Sequence, residues 1–358
     1  MIVHILLLLI IAYGCTLKAS IQKQYIITLG LLLFIIIGFR DVSVGSDTFV
    51  YVIEYLNGKT EYEGVQEEFE PGRRLLWNFF RSIGLGGRGF LISTAFITCV
   101  PLIMLVRRYS VWPSYSLLLY VTIGNYAFNL TGIRQSIACS VVYIGVYFAF
   151  RLRRKFIQMV IIVLFVYLAS TIHTSANVCY LFVVFLLLNK IKQLWIYILL
   201  IIPWMIYALG AVFKQQLAAF NSISKYDDYF EDKVDPNFIF YFLIPYCIFA
   251  FVSFFCMKMI KSDNIRLKSP INISFCYYST FICSVVGGIC MSLPMLNRLS
   301  LYFNLFSWIL ISYYLVANKL NTGKNRFIAI WMAILCIIFF LMATPNGTLK
   351  IGNYMFSL

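Results

Sequence analysis

Arg40, Arg73, Arg134 and Arg298 stand at or near the ends of apolar runs, and Asp41, Asp47 and His173 occupy similar places. A charge at the edge of a bilayer-length helix costs free energy, so such residues mark the rim of a site. The run from Tyr25 to Phe39 opens into Arg40-Asp41-Val42-Ser43-Val44-Gly45-Ser46-Asp47-Thr48. Comparable clusters are Asn129-Leu130-Thr131-Gly132-Ile133-Arg134-Gln135-Ser136, Thr171-Ile172-His173-Thr174-Ser175 and Asn297-Arg298-Leu299-Ser300-Leu301-Tyr302. Arginine suits phosphate because its planar fork makes two parallel charge-assisted hydrogen bonds and keeps its charge in a low dielectric. Arg40, Arg73, Arg74, Arg134 and Arg298 are enough to hold a pyrophosphate, with Gln135 and Tyr302 beside them and Asp41 steadying Arg40. Singly, each has a plainer reading: an arginine at a helix end snorkels to the interface, and a histidine between helices caps one of them. Gathered on one face, they become a candidate pocket for an anionic ligand.

The elements that must position these groups are transmembrane helices. The 358 residues are 61% hydrophobic and only 12% charged, values outside the range of a water-soluble domain of this length. Apolar runs predict an all-α integral membrane protein of about twelve helices, each run approaching bilayer length. They fall at 2–17, 25–39, 89–106, 113–127, 133–150, 156–172, 175–189, 194–213, 237–257, 271–291, 299–317 and 327–343. The first run has no Lys or Arg before it and no small-residue cleavage site after it, so it reads as a retained helix. The formal net charge of +15 comes largely from clusters between runs, a topology signal that predicts no nucleic-acid partner. Lys18 and Lys23, Arg107 and Arg108, Arg151 to Lys155, Lys190 and Lys192, Lys258 to Lys268, and Lys319 to Arg326 mark alternate joints. Those joints should face the cytoplasm, with both termini periplasmic. Every acid except Asp263 then lies on the outer side.

Two outer segments stand out within a single polytopic domain of 1–358: a long loop at 40–88 and an acidic one at 214–236. The first is too long for a connector and rich in aromatics, so it should have structure of its own. From Glu70 to Gly84 it predicts a short amphipathic helix on the membrane surface, with Pro71 suited to its first turn. Leu76, Phe79, Phe80 and Ile83 share one face, while Arg73, Trp77 and Arg81 share another. Cys276, Cys283 and Cys290 recur every seven residues and read as packing groups. No metal ligand set and no cofactor is expected. Neither a Walker loop nor Gly-x-Gly-x-x-Gly occurs, so the ligand must carry its own leaving group.

At these residues the sequence resembles the EpsG-type branch of the Wzy polysaccharide polymerases. The matching pieces are Phe39-Arg40-Asp41 with Gly45-Ser46-Asp47-Thr48 and Tyr51, Glu70-Pro71-Gly72 with Leu75, Ile133-Arg134-Gln135-Ser136-Ile137-Ala138, His173-Thr174-Ser175-Ala176, and Arg298 with Tyr302-Phe303. Thr174 departs from the pattern, since the family often shows a basic residue after the histidine. The resemblance implies polymerisation of undecaprenyl-pyrophosphate-linked repeat units into O-antigen, capsule or exopolysaccharide at the periplasmic face of the bacterial inner membrane. Its implied partners are the lipid-linked glycan donor and acceptor, membrane lipids, and room for a chain-length regulator. Arginines aimed at the departing pyrophosphate would stabilise charge that develops in the transition state. His173, Asp47 and Asp41 are the candidates for the base that takes the acceptor proton, Asp41 being better suited to orient Arg40. Tyr51, Tyr55, Tyr62 and Trp77 are placed to stack on sugar rings or to girdle the interface. The rival expectation is a transporter or flippase for lipid-linked oligosaccharide. A transporter places charges midway along its helices, whereas here they gather at the ends.

Overall fold

A computed structural model describes residues 1–58, 60–62, 65–67, 70–188, 271–290, 297–317, 322–346, 351 and 354–356, with isolated positions 205 and 247. The helices are α1 (Ile2–Thr16), α2 (Ala19–Gly38), α3 (Thr48–Asn57), α4 (Pro71–Ser82), α5 (Gly87–Tyr109), α6 (Pro113–Thr122), α7 (Asn125–Thr131), α8 (Ile133–Ala149) and α9 (Lys155–Ser170). A 3-10 helix (Thr174–Tyr180) then leads into α10 (Leu181–Leu187). Farther along come α11 (Ile273–Cys290), α12 (Asn297–Ala317) and α13 (Thr322–Asn346). Strands β1 (Thr60–Tyr62) and β2 (Val65–Glu67) pair antiparallel between α3 and α4, a departure from an all-α fold.

Helices stand at each expected position within the described residues, while the expected helices at 194–213 and 237–257 and the acidic segment 214–236 lie outside them. Among the described residues four helical stretches are long and apolar enough to cross a membrane: Ala19–Gly38, Gly87–Tyr109, Arg298–Val316 and Asn325–Met342. The expected helix at 113–127 is broken into α6 and α7 at Gly124, whose φ of +89° is a conformation that glycine adopts without strain. The 40–88 segment holds one more helix than expected, since α3 precedes the ribbon and α4.

α12 and α6 form the centre of the bundle. Every residue of α6 is buried, as is most of α12, so both are wrapped by protein rather than lipid. Small and polar side chains replace hydrophobic drive where helices meet inside a membrane. The Ser110 hydroxyl lies 2.8 Å from that of Ser116 and 3.0 Å from that of Ser312, and the Asn304 side-chain amide donates to Asn125 Oδ1 at 3.1 Å. Cys276 and Cys283 are buried among these helices as packing groups.

Contacts between distant parts of the chain sort the joints onto two ends. At one end His4 bonds the carbonyl of Ile351 at 2.8 Å, and the Asp41 N–H donates to the carbonyl of Met355 at 2.9 Å. The C-terminal residues thus touch both α1 and the beginning of the 40–88 segment. At the opposite end Arg107 donates to the carbonyl of Lys23, and the Trp112 indole donates to the carbonyl of Cys15.

Candidate active site

α4 fixes the first part of the site because its opening turn is pinned to the end of α9. The Gly72 N–H donates to the carbonyl of Thr171 at 2.9 Å, and a Cβ on Gly72 would lie 2.2 Å from the Thr171 hydroxyl. Pro71 occupies the first helical turn, where its missing N–H costs nothing. This docking sets Glu70 and Arg73 beside the His173 joint. The buried face of α4 is Arg73, Trp77 and Phe80, whereas Leu75, Phe79 and Ile83 are exposed. α3 likewise exposes Phe49, Val50, Ile53 and Leu56 while burying Tyr51 and Tyr55. Two short helices with apolar outer faces and polar or aromatic inner faces fit an interfacial position.

Three arginines converge there. Arg73 contacts Glu70 at 2.9 Å and Glu54 at 3.6 Å, and its guanidinium lies 5.1 Å from the Trp77 ring centre. Arg134 reaches the other Glu70 oxygen at 3.6 Å and lies over the Tyr51 ring at 5.5 Å. Glu70 therefore bridges two arginines whose charges repel, holding both in a partly buried space. Arg298, at the start of α12, is exposed and lies over Phe128 at 6.0 Å. Its backbone is tied to α8 by Gln135, which donates to the Arg298 carbonyl at 2.6 Å. Tyr143 and Asn125 both donate to the carbonyl of Leu301, which steadies the same turn.

His173 sits inside this group. Burial, reinforced by the charges of Arg134, Arg298 and Arg73 and opposed by Glu70, pulls its pKa down to about 4. The imidazole is thus neutral near pH 7. Its Nδ1 accepts from the Ser175 N–H at 3.2 Å and lies 2.8 Å from the Ser175 hydroxyl, which is 2.9 Å from the Tyr302 hydroxyl. An Nδ1 that accepts a backbone N–H has no proton, so the neutral ring carries its proton on Nε2. Tyr302 donating to Ser175, and Ser175 to Nδ1, completes a consistent chain. His173 is then a hydrogen-bond donor through Nε2.

The remaining expected residues lie differently. Arg40 is 1% exposed and donates to the Ile37 carbonyl and, at 3.5 Å, to the Thr48 hydroxyl. The hydroxyls of Tyr354 and Tyr126 lie near it, and burial lowers its pKa to about 10, still protonated at neutral pH. Asp41 does not pair with Arg40: its Oδ1 accepts the Ser43 N–H at 2.9 Å, which keeps its carboxyl below the usual range. Arg40 is linked through Thr48 to the start of α3, the helix whose Tyr51 lies under Arg134. Gly45, at φ +96°, makes that approach possible, because a Cβ there would lie 2.1 Å from the Leu130 carbonyl oxygen. Thr48 itself is 2.8 Å from the carbonyls of Val44 and Leu130. Asp47 is half-buried at the start of α3, makes no capping hydrogen bond, and acts electrostatically on Tyr51. Arg74 is exposed.

Tyr55 and Trp77 are not presented to a ligand. Both are fully buried, Tyr55 stacking on Phe90 at 4.5 Å and Trp77 meeting Phe90 edge-on at 5.5 Å. The side chain of Tyr62 lies outside the described residues. Sequence reasoning gave no site role to Glu54, Glu70 or Ser175. Burial raises the Glu54 pKa against the pull of Arg134 and Arg73, a carboxyl held inside the cluster.

The EpsG family model matches residues 23–356, which takes in every residue of the candidate site. The chain belongs to the EpsG family. This is a family of Wzy-type polysaccharide polymerases, so a membrane-embedded glycan polymerase is the activity that membership carries. No curated protein and no solved structure matches the chain. The separate polar segments of the sequence come together in this EpsG protein: Glu70-Pro71-Gly72, Arg134-Gln135, His173-Thr174-Ser175 and Arg298 with Tyr302 meet at one place. An arrangement of three arginines and a neutral histidine donor can bind a phosphorylated leaving group, and Asp47, which makes no capping hydrogen bond and acts on the nearby Tyr51, is a carboxylate that can accept one proton.

Proposed function

We propose that this EpsG protein polymerises undecaprenyl-pyrophosphate-linked oligosaccharide repeat units at the periplasmic face of the bacterial inner membrane. The product is O-antigen, capsule or exopolysaccharide, and the fold is one polytopic domain of about twelve helices with both termini periplasmic. The observation that carries the reading is the convergence of Arg73, Arg134 and Arg298 on His173. In the proposed step an acceptor hydroxyl oxygen attacks the anomeric carbon of the donor glycan, and the bond from that carbon to pyrophosphate oxygen breaks. Undecaprenyl pyrophosphate departs with the electron pair. Arg134, Arg298 and Arg73 meet the negative charge as it develops, and the His173 Nε2–H adds a neutral donor. The acceptor proton passes to Asp47, whose carboxylate is engaged in no capping bond while Asp41 is spent on its own turn. Glu70 holds the arginines apart in a fixed geometry before substrate arrives. No protein-bound metal is required by this scheme.

The test is the surface glycan of a strain lacking the protein. A polymerase predicts that single repeat units persist while longer chains vanish. Loss of the single-unit product as well would replace this reading with transport of the lipid-linked oligosaccharide.

A further inference from the structure

A groove of about 740 Å³ runs between α2 and α5 at the end of the molecule opposite the arginine site. Its walls are apolar and open outward, with Leu31 58% exposed on one side and Phe96 59% on the other. Its floor is deep because Gly30 lets α2 approach α5, a Cβ there falling 2.5 Å from the Ile103 side chain. Three exposed cations, Lys23, Arg107 and Arg108, close one end. None of them makes an ion pair among the described residues. Arg107 spends its Nε on the Lys23 carbonyl at 3.0 Å, which fixes the guanidinium and leaves its two terminal nitrogens for a ligand. The other end stops at the edge-on pair Phe34 and Phe96, whose ring centres are 6.4 Å apart.

The dimensions identify the occupant's class. From Lys23 to Phe34 on α2, a rise of 1.5 Å per residue gives about 16 Å. That is about half the hydrocarbon thickness of a bilayer, the depth of one leaflet. A positive end at headgroup level and an apolar trough one leaflet deep match an amphiphile with a single anionic head and acyl chains. We propose that this groove is a binding site for one anionic phospholipid of the leaflet facing away from the arginine site. The cationic trio takes the phosphodiester, and the α2–α5 trough takes an acyl chain. The site is independent of the chemistry proposed at Arg134 and His173.

The full-length protein, purified and placed in nanodiscs of equal phosphatidylglycerol and phosphatidylcholine, tests it by native mass spectrometry of the lipid retained on gentle delipidation. The wild type should retain one phosphatidylglycerol in preference to phosphatidylcholine. The combined Lys23→Gln, Arg107→Gln and Arg108→Gln variant should lose about 10- to 100-fold of that preference, given the usual attraction of each cation for an anionic headgroup. Val100→Trp, which keeps the charges and fills the trough, should also lose the lipid, so a folding defect in the first variant does not decide the matter. Equal retention of the two lipids by the wild type overturns the proposal. So does an undiminished preference in both variants, or an equal loss in an Arg153→Gln and Arg326→Gln control. Displacement of the lipid by millimolar inorganic phosphate would mark a free-anion site instead and overturn it too.

Discussion

Two sets of arginine in this EpsG protein look alike in sequence and differ in what surrounds them. Arg134 and Arg298 keep an open side, Glu70 bridges Arg134 to Arg73, and all three arginines act on a neutral histidine. Arg40 is enclosed, with its guanidinium turned to a backbone carbonyl of its own helix and to Thr48. The first set is preorganised for a ligand that arrives with negative charge. The second joins the end of α2, the start of α3 and the chain terminus, where Arg40 pairs with Phe356 through the backbone. Partners as well as enclosure separate the two, since Arg73 is also buried but faces Glu70 and Glu54, whereas Arg40 faces a carbonyl and a hydroxyl.

That comparison is broken or sharpened by substitution. Arg134→Ala should lower polymer formation by about 100- to 1,000-fold, the loss that follows removal of one preorganised transition-state donor. Arg134→Lys should restore little, because an ammonium cannot reproduce the fork. Asp47→Asn should cost about 100-fold if it takes the acceptor proton, while Asp41→Asn should cost less than about 2-fold, since an asparagine still accepts from the Ser43 N–H. Glycan chain length per unit of membrane protein measures both. Arg40→Ala should instead destabilise the fold by about 2–4 kcal/mol, through a cavity and orphaned partners, with activity per folded molecule reduced less than about 10-fold. Fluorescence-detected gel filtration of the solubilised protein separates the two effects.

His173 gives the smaller, more diagnostic effect. Its pKa is lowered to about 4, below an unfolded value of about 6.5, so the native state binds the proton less readily than the unfolded one. The His173 contribution to stability is therefore complete above pH 6.5 and is lost as pH falls toward 4. Activity should show no His173 titration between pH 6 and 8. His173→Gln, whose amide N–H stands near the Nε2 position, should keep activity within about 10-fold, and His173→Ala should lose more. A base would tolerate neither. Arg74→Ala, at an exposed position, should change polymer yield least.

Much of this arrangement was legible before any fold was known. The apolar runs located the described helices, and polar residues at helix ends pointed to Arg73, Arg134, His173 and Arg298 because a bilayer tolerates such groups only where they are answered. The α4 helix was readable from Pro71 and its periodicity. α3 was missed, although Asp47 at its start, Gly58 at its end and Thr48, Tyr51, Val52 and Tyr55 at helical spacing mark it in retrospect. Arg40 and Asp41 were misjudged as a pair because adjacency in sequence sends neighbouring side chains to different partners once the helix ends. The bridging role of Glu70 depends on Gly72 touching Thr171, a contact across about a hundred residues that no local pattern announces. Tyr55 and Trp77 have the composition of a sugar platform, and only burial shows that they pack on each other.

The most direct measurement compares Arg134→Ala with Arg40→Ala in one glycan ladder, each lane normalised to folded protein in the membrane. The account predicts single repeat units from the Arg134 variant and a recognisable ladder, at reduced protein level, from the Arg40 variant. A full ladder from Arg134→Ala, or equal collapse of both at equal folded protein, would contradict it.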